Sequence, residues 1–529
     1  MTSADARRYF ATDASIFQMA PLLVVYPRNE NDVRKTARFT WELAERGRVI
    51  PMTARGSGTD QTGAALGSGI MLVFPAHLHR ILELDTKANT VTVEPGINYG
   101  KLQQTLLTHN RFLPPYPSSM EYSTIGGAIA NNAVGEQTVK YGDTRTYVDR
   151  LRVVLANSEV IETGRINKRE LNKKLGLATF EGEIYRSLDA LFEEQADLIN
   201  RVQTRAARSN VGYCLQDVRH SDGSFDLTPL FVGSQGTLGI VTEAVMRTEA
   251  HNPTTTVMMA TFDTMANAQQ AVVDLRNAHD LPSALELIDG GLLAQVAELS
   301  PNQLSEEVSA PFPAAVLFVE YDNANERQHK KSVKKAQKLF ETLASSLRTE
   351  TTMEGQQKVW KVRQATSAIL GHNEGLLRAV PVIEDAAVPI DQISAYFNGV
   401  YALLDRENLK PAIWGRAGDG IFHVQPKLNL GLVGDRQKAF RLMDDYYKLV
   451  ISLGGTISSE RNDGRLRAPY IEAQYGPEIA ALFNKIKQIF DPYGTMNPGV
   501  KIGTSIDELK TMVRPDYTLD HIYDHLPRG

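Results

Sequence analysis

The stretch Pro114–Gly142, PPYPSSMEYSTIGGAIANNAVGEQTVKYG, decides how the rest of the chain is read. It opens with three prolines in four residues, which hold the backbone extended and short of amide donors. Ser118, Ser119, Ser123 and Thr124 follow, with hydroxyls able to bond a ligand or cap a helix. Gly126 and Gly127 let a second backbone or a flat ligand come close. Ala128, Ile129 and Ala130 read as the start of a short helix with Thr124 as its N-cap, and free N–H groups at such a start suit a phosphate. A Gly/Ser-rich surface turn before an ordinary helix fits the same residues, and this stretch alone does not choose between the two.

A second glycine-rich turn lies upstream. Arg48 to Met52 is a short apolar run of strand type leading into Ala54-Arg55-Gly56-Ser57-Gly58-Thr59. A glycine–serine–glycine turn after a strand exposes successive amides that suit a pyrophosphate. It is not the Rossmann fingerprint, because Gln61 stands where the third glycine belongs and more turn residues follow instead of a helix. No Gly-Lys-Ser/Thr follows, so it is not a P-loop either. A third motif, Gly233-Ser-Gln-Gly236-Thr-Leu-Gly239, closes the set.

Outward from these motifs, the 529 residues are too many for one core and predict at least two domains. Hydrophobic residues at 42% and charged residues at 22% are those of a globular chain. A net charge of −5 argues against a general nucleic-acid binder. No apolar run approaches the roughly 18 residues of a membrane helix. Arg7-Arg8 have no hydrophobic segment behind them, so no export signal is expected and the cytoplasm is the default compartment. The single cysteine, Cys214, excludes an internal disulfide and a four-cysteine iron–sulfur cluster.

The periodicity predicts a strand over Leu22–Tyr26, a helix capped by Asn29 and stopped at Gly47, and the Arg48–Met52 strand, together a βαβ unit. Further strands are expected at Ile70–Phe74, Ile81–Asp85 and Val91–Glu94, and a hairpin around Asn157. The charged region Arg165–Asn210 reads as a helical surface insertion. Beyond a boundary near His251-Asn252-Pro253, strands alternate with helical patterns, as in an antiparallel sheet with helices on one face. The final segment, Ile479–Phe490 and on through Asn497-Pro498-Gly499, is expected to return to the first half.

In order, ARGSGTDQTGAAL, VEPGINYGKL, the Pro114–Gly142 stretch and LFVGSQGTLGIVTEA resemble the flavin domain of the FAD-linked oxidase family, the relatives of vanillyl-alcohol oxidase and p-cresol methylhydroxylase (PCMH). WGRAGDGIFH and GGTISSERNDG…FDPYGTMNPG resemble the D-lactate dehydrogenase/glycolate oxidase/D-2-hydroxyglutarate dehydrogenase branch. The resemblance implies an α+β fold. A two-subdomain PCMH-type FAD-binding domain over 12–250 would precede a ferredoxin-like α+β substrate (cap) domain over 251–505 and a tail over 506–529. It implies FAD as cofactor, held by Arg55, Gly56, Ser57, Gly58, Thr59, Ser118, Thr124, Gly126, Gly127, Asn132, Gly135, Gly236, Ile240 and Asn497. His77 and His79 match no motif that carries a covalent link in some relatives, so the FAD is expected to be non-covalent.

For substrate, the resemblance implies a small 2-hydroxy acid such as D-lactate, glycolate or D-2-hydroxyglutarate, with electrons leaving to a quinone, a cytochrome or a partner protein. Arg363 resembles the arginine that holds the substrate carboxylate, a task suited to a guanidinium fork. A solvated helix residue fits Arg363 as well. Glu384 and Asp385 either tune a site or face solvent. The family pattern His-x-Gly-Asp-Gly-Asn-x-His, then Gly-Glu-His-Gly, holds a divalent metal and supplies a histidine base. Here Arg416 replaces the first histidine and Arg461 the base, leaving His423 and Glu460, too few ligands for a catalytic metal. No metal is expected, and His423 is the expected proton acceptor. Contact with the inner face of a membrane stays open. So do a non-redox activity of the alkyl-dihydroxyacetone-phosphate synthase type and a flavin-binding subunit without its own turnover.

Overall fold

The structure is a computed structural model that describes residues 1–304, 308–371 and 375–523. The last six residues of the expected tail lie outside it. Leu23–Val25, Ile70–Val73 and Met52–Arg55 form a small parallel sheet with Ile70–Val73 in the centre. The helix Glu30–Glu45 starts where Asn29 accepts from Asp32 N (3.2 Å) and packs Val33 and Ala37 against Met52, Ile70 and Leu72. The second strand therefore begins where the Arg48–Met52 expectation ended, after Pro51, which has no N–H to give a ladder. It runs directly into Gly56.

A five-stranded antiparallel sheet follows in the order Ile81–Asp85, Thr90–Val93, Ile240–Arg247, Val148–Val154, Val160–Glu162. Its central strand leaves the third glycine motif and alternates buried and part-exposed residues, so the motif is fixed to the middle of the sheet. The segment after Arg165 is helical, as expected, but it is no surface insertion. Ile184, Tyr185 and Leu188 of the helix Phe180–Glu194 are buried in the main core, and that helix packs on Pro477–Phe490. Its charges lie on the outer face of an amphipathic helix.

The second half carries a seven-stranded antiparallel sheet in the order Ser346–Glu350, Thr256–Phe262, Ala315–Tyr321, Ala284–Asp289, Ile413–Arg416, Ile421–Val424, Ala386–Ala387. Helices cover both faces, not one. Val257, Ile288 and Phe318 pack with Leu292 and Val359, while Leu285, Leu317 and Val319 pack with Ala271 and Phe340. The strand Ala284–Asp289 is buried at all six positions for this reason, so its carboxylates Glu286 and Asp289 need internal partners. Among the described residues no helix is long and apolar enough to cross a membrane.

Candidate active site

The two halves enclose a cavity of about 340 Å³, joined to one of about 740 Å³ lined by the first half and Ile522, and the two share Gly56, Ser57, Tyr122 and Thr124 as walls. Arg55, Gly56, Ser57, Gly58, Thr59, Ser118, Thr124, Gly126, Gly127, Gly236 and Ile240 all line the smaller cavity. The loop after Arg55 holds the free donors. The N–H groups of residues 56–61 donate to no acceptor among the described residues. The helix Ile125–Asn131 is different. Ile125 N bonds Ile97 O (3.0 Å), Gly126 N bonds Pro95 O (2.7 Å), and Gly127 N bonds the capping Thr124 Oγ1 (3.1 Å). The expected anion cradle at this helix start is thus already filled by protein, which leaves the 56–61 loop with the open amides.

Of the expected cofactor residues, Asn132, Gly135 and Asn497 lie behind the wall, while Arg55 lines it with its guanidinium turned inward. Arg55 is 1% exposed and donates to Thr12 O (2.9 Å) and Ala65 O (3.2 Å), bracing the loop. Burial lowers its pKa, opposed by Asp13. Asn132, in left-handed backbone at the helix end, donates to Asp143 (3.0 Å) and Asn210 (2.9 Å), and its neighbour Asn131 lines the cavity instead. Gly135 is required by the Tyr116 carbonyl, into which any Cβ would run. Asn497 clamps three segments, donating to Ala64 O (2.9 Å) and Gln235 O (2.8 Å) and accepting from Thr53 Oγ1 (3.0 Å). His77 and His79 are exposed, and His79 lines the larger cavity.

At the other end of the smaller cavity stand Trp414, His423, Gln425, Glu460 and Arg461. The hairpin Ile413–Arg416/Ile421–Val424 sets Trp414 opposite His423, and alternation puts Arg416 on the same face. The neighbouring strand pairs Leu287 with Gly415, which brings Glu286 beside Arg416. Arg363 Nη2 pairs with Glu286 Oε2 (2.5 Å), and Arg416 Nε lies 3.9 Å from Glu286 Oε1. Arg416 Nη1 pairs with Glu460 Oε2, which also meets His423 Nε2 at 2.7 Å. His423 Nδ1 is 3.7 Å from Glu384 Oε2, and Arg461 Nη1 pairs with Glu384 Oε1 (2.5 Å). Cation and carboxylate alternate along this chain of seven side chains.

Glu384 and Asp385 are buried in this network, which decides between their two readings. Asp385 takes the backbone N–H of Glu460 (2.7 Å) and of Arg461 (2.9 Å), with Arg467 behind it. Burial would lower the pKa of His423, but Glu460 and Glu384 outweigh it and raise it to about 9. His423 is therefore a cation at neutral pH, contrary to its expected state as a ready base. Against its own burial, Glu460 is held well below the carboxylate range by Arg416 and His423. Arg363 does not line the cavity. It is bound to Glu286, so any direct grip on a substrate carboxylate requires that pair to open.

The metal of the family pattern does not fit here. Glu460 Oε2 already faces two cations, and among the described residues no three histidine, cysteine or acidic side chains converge on one point. A flavin does fit. A Cβ on Gly236 would meet nothing within 4 Å and one on Gly127 only Thr124 Oγ1 at 3.2 Å, so both open toward the cavity. Two of its wall atoms, Ser123 Oγ and Gln61 Oε1, are buried without a partner. Sequence reasoning missed Trp414, Gln425, Glu286, Asn131 and Gln61. The first two were within reach, since alternation along WGRAGDGIFHVQ places them beside Arg416 and His423.

A glycine-lined cleft between a mixed two-sheet unit and a charged antiparallel cap defines a flavoprotein of the PCMH fold. Residues 21–164 match the FAD binding domain family, and residues 251–500 match the C-terminal domain of FAD linked oxidases. The chain belongs to the FAD-linked oxidases, and FAD is its cofactor. It is 28% identical over 539 residues to the D-2-hydroxyglutarate dehydrogenase of Pantoea ananatis (strain AJ13355), covering 99% of this chain and 52% of that protein. It is 29% identical over 501 residues to the glycolate oxidase subunit GlcD of Bacillus subtilis (strain 168), covering 94% and 92%. The crystal structure of p-cresol methylhydroxylase with substrate bound superposes with a TM-score of 0.67 at 15% identity, over 96% of this chain and 94% of that one. The chain spans about half the length of the D-2-hydroxyglutarate dehydrogenases that it matches.

Proposed function

We propose that this protein is an FAD-dependent dehydrogenase of a small 2-hydroxy acid, passing electrons on to an external acceptor. The observation that carries this reading is the alternating ion-pair chain at the end of the cofactor cavity. With His423 protonated it holds four cations against three carboxylates, Glu136 stands as a further carboxyl beside Arg363 and Arg416, and the positive charge on the cavity wall suits a carboxylate substrate. Arg461 and His423 are the cations on the cavity wall, and a guanidinium matches a carboxylate in two parallel hydrogen bonds.

The loop 56–61 would hold the FAD phosphates, and Gly127, Gly236 and Ile240 would lie against the cofactor. Bound there, FAD supplies the acceptor for a hydride from the substrate carbon. The chain's own residues orient the substrate and manage the hydroxyl proton. His423 takes that proton only in its neutral form. Arg416 fixes Glu460, which in turn orients His423 through Nε2. The guanidinium of Arg416 contributes fixed positive charge and cannot be deprotonated.

Anaerobic mixing of the flavinylated protein with a panel of 2-hydroxy acids tests the reading. Bleaching of the oxidised flavin by at least one of them is expected. Bleaching by none, with the flavin still reducible by dithionite, overturns it.

A further inference from the structure

We infer that residues 501–523 form a strap that closes the cofactor cleft, with Leu519 and Ile522 as its contacts to FAD. The inference rests on FAD occupying that cleft. The family match ends at residue 500, and the chain then crosses back to the first half. The helix Ile506–Met512 begins with a Ser505/Glu508 capping box and buries Leu509. Past it, Met512 O accepts from Gln18 N (2.9 Å), Arg514 N donates to Ile16 O (3.0 Å), and Tyr517 Oη donates to Ala14 O (3.1 Å). Ala14 N itself bonds Gly58 O (3.0 Å). The strap is thus joined to the phosphate loop through one short segment.

Its tip is held differently. The last tertiary hydrogen bond is from Arg514 Nη2 to Thr518 O (2.9 Å) and the opposite Asp13 O (3.2 Å). Beyond Thr518, Ile522 N bonds Leu519 O (3.0 Å) within the tip. Leu519 lines the smaller cavity, and Ile522 lines both, at the waist that Ser57 and Thr124 also form. Two aliphatic side chains therefore close the cleft on the side of the phosphate loop, carried by the anchored segment before them. Such a closure acts on release more than on capture.

The test is the rate at which FAD leaves the holoprotein when it is mixed with an excess of an apoflavoprotein that captures free FAD. Leu519→Ala/Ile522→Ala is expected to release FAD about tenfold faster, with an unchanged unfolding temperature of the apoprotein. In the unaltered protein, amide hydrogen exchange at residues 519–523 is expected to slow on adding FAD. An unchanged or slower release together with unchanged exchange overturns the strap. If flavin stays on the denatured chain, the non-covalent reading fails by itself, and the exchange measurement decides for or against the strap.

Discussion

The two ends of the cleft meet a ligand in opposite ways. At the 56–61 loop, the amides have no acceptor among the described residues, and a Cβ on Gly236 would meet nothing within 4 Å. At the cap, each of Arg363, Arg416, His423 and Arg461 already has a carboxylate. The first end is unfinished without its cofactor, so binding there completes hydrogen bonds that the protein lacks. The second end is paired by charge, although Glu286 Oε1 and Arg416 Nε have no hydrogen-bond partner among the described residues, so a substrate must compete with a carboxylate already present. Affinity for cofactor should therefore exceed affinity for substrate, and the cap should matter to stability as much as to turnover.

The largest expected effect breaks the first end. Gly127→Val should abolish FAD binding, because its Cβ would meet only Thr124 Oγ1 (3.2 Å) within 4 Å and the branch beyond it would fill cavity space. The flavin-to-protein ratio and the unfolding temperature check this together, and a folded, fully flavinylated variant would refute the placement of the cofactor. Gly135→Ala is the contrast. Its Cβ runs into the Tyr116 carbonyl, so it should cost about 1–3 kcal/mol of stability before any ligand is added.

The next effect breaks the second end. Arg416→Met leaves Glu460 facing His423 alone and Glu286 facing Arg363 alone, in sites at most 4% exposed. Removing one member of a buried pair costs about 3–5 kcal/mol. Chemical unfolding of Arg416→Met should show a loss on that scale, and Arg416→Met/Glu460→Gln should recover part of it. If the double variant is no more stable than the single one, Arg416 is not there to neutralise Glu460.

These two ends were unequally legible in the sequence. The glycine motifs come together on one cavity, since spacing along one stretch of chain survives folding. Their individual roles were less visible: Gly126 and Gly135 are glycine because Pro95 and Tyr116 come close, and that closeness is tertiary. The start of the helix at Thr124 was read correctly as a cap and wrongly as a free anion site, because its acceptors Pro95 and Ile97 lie in a different segment. At the cap, Arg416, His423, Glu460 and Arg461 were legible as a cluster. Their pairing was not, because Glu286 reaches Arg416 only through strand register, and Glu384 reaches Arg461 only when the left-handed backbone at Asp385 turns the chain. Arg363 is the sharpest case. Its helix, with Lys358 and Lys361, reads as solvated, yet the side chain is turned inward by a buried glutamate on a strand that sequence pattern marks only as apolar.

The effect that is smallest at any one pH step sharpens the comparison, because it isolates a single member of the paired end. His423 has a folded pKa raised to about 9 from an ordinary value of 6.5. A group whose folded pKa is raised adds stability that is fully present below its unfolded pKa and is lost as pH rises through the folded one. Between pH 6.5 and 9 the unfolded chain has released this proton while the folded chain still holds it. Stability should therefore fall with pH by about 1.4 kcal/mol per unit across that window and level off above it. His423→Gln keeps a hydrogen bond to Glu460 but carries no proton to lose, so its stability should be flatter by that slope. Flavin reduction by substrate should show the opposite trend, rising toward pH 9 as His423 becomes able to accept the hydroxyl proton. Denaturation of both proteins at a series of pH values, beside anaerobic reduction rates of the unaltered one, checks the two trends together. Equal slopes for the two proteins would mean that His423 is neutral in the folded state. A reduction rate that does not change across the window would move the proton acceptor to a different residue.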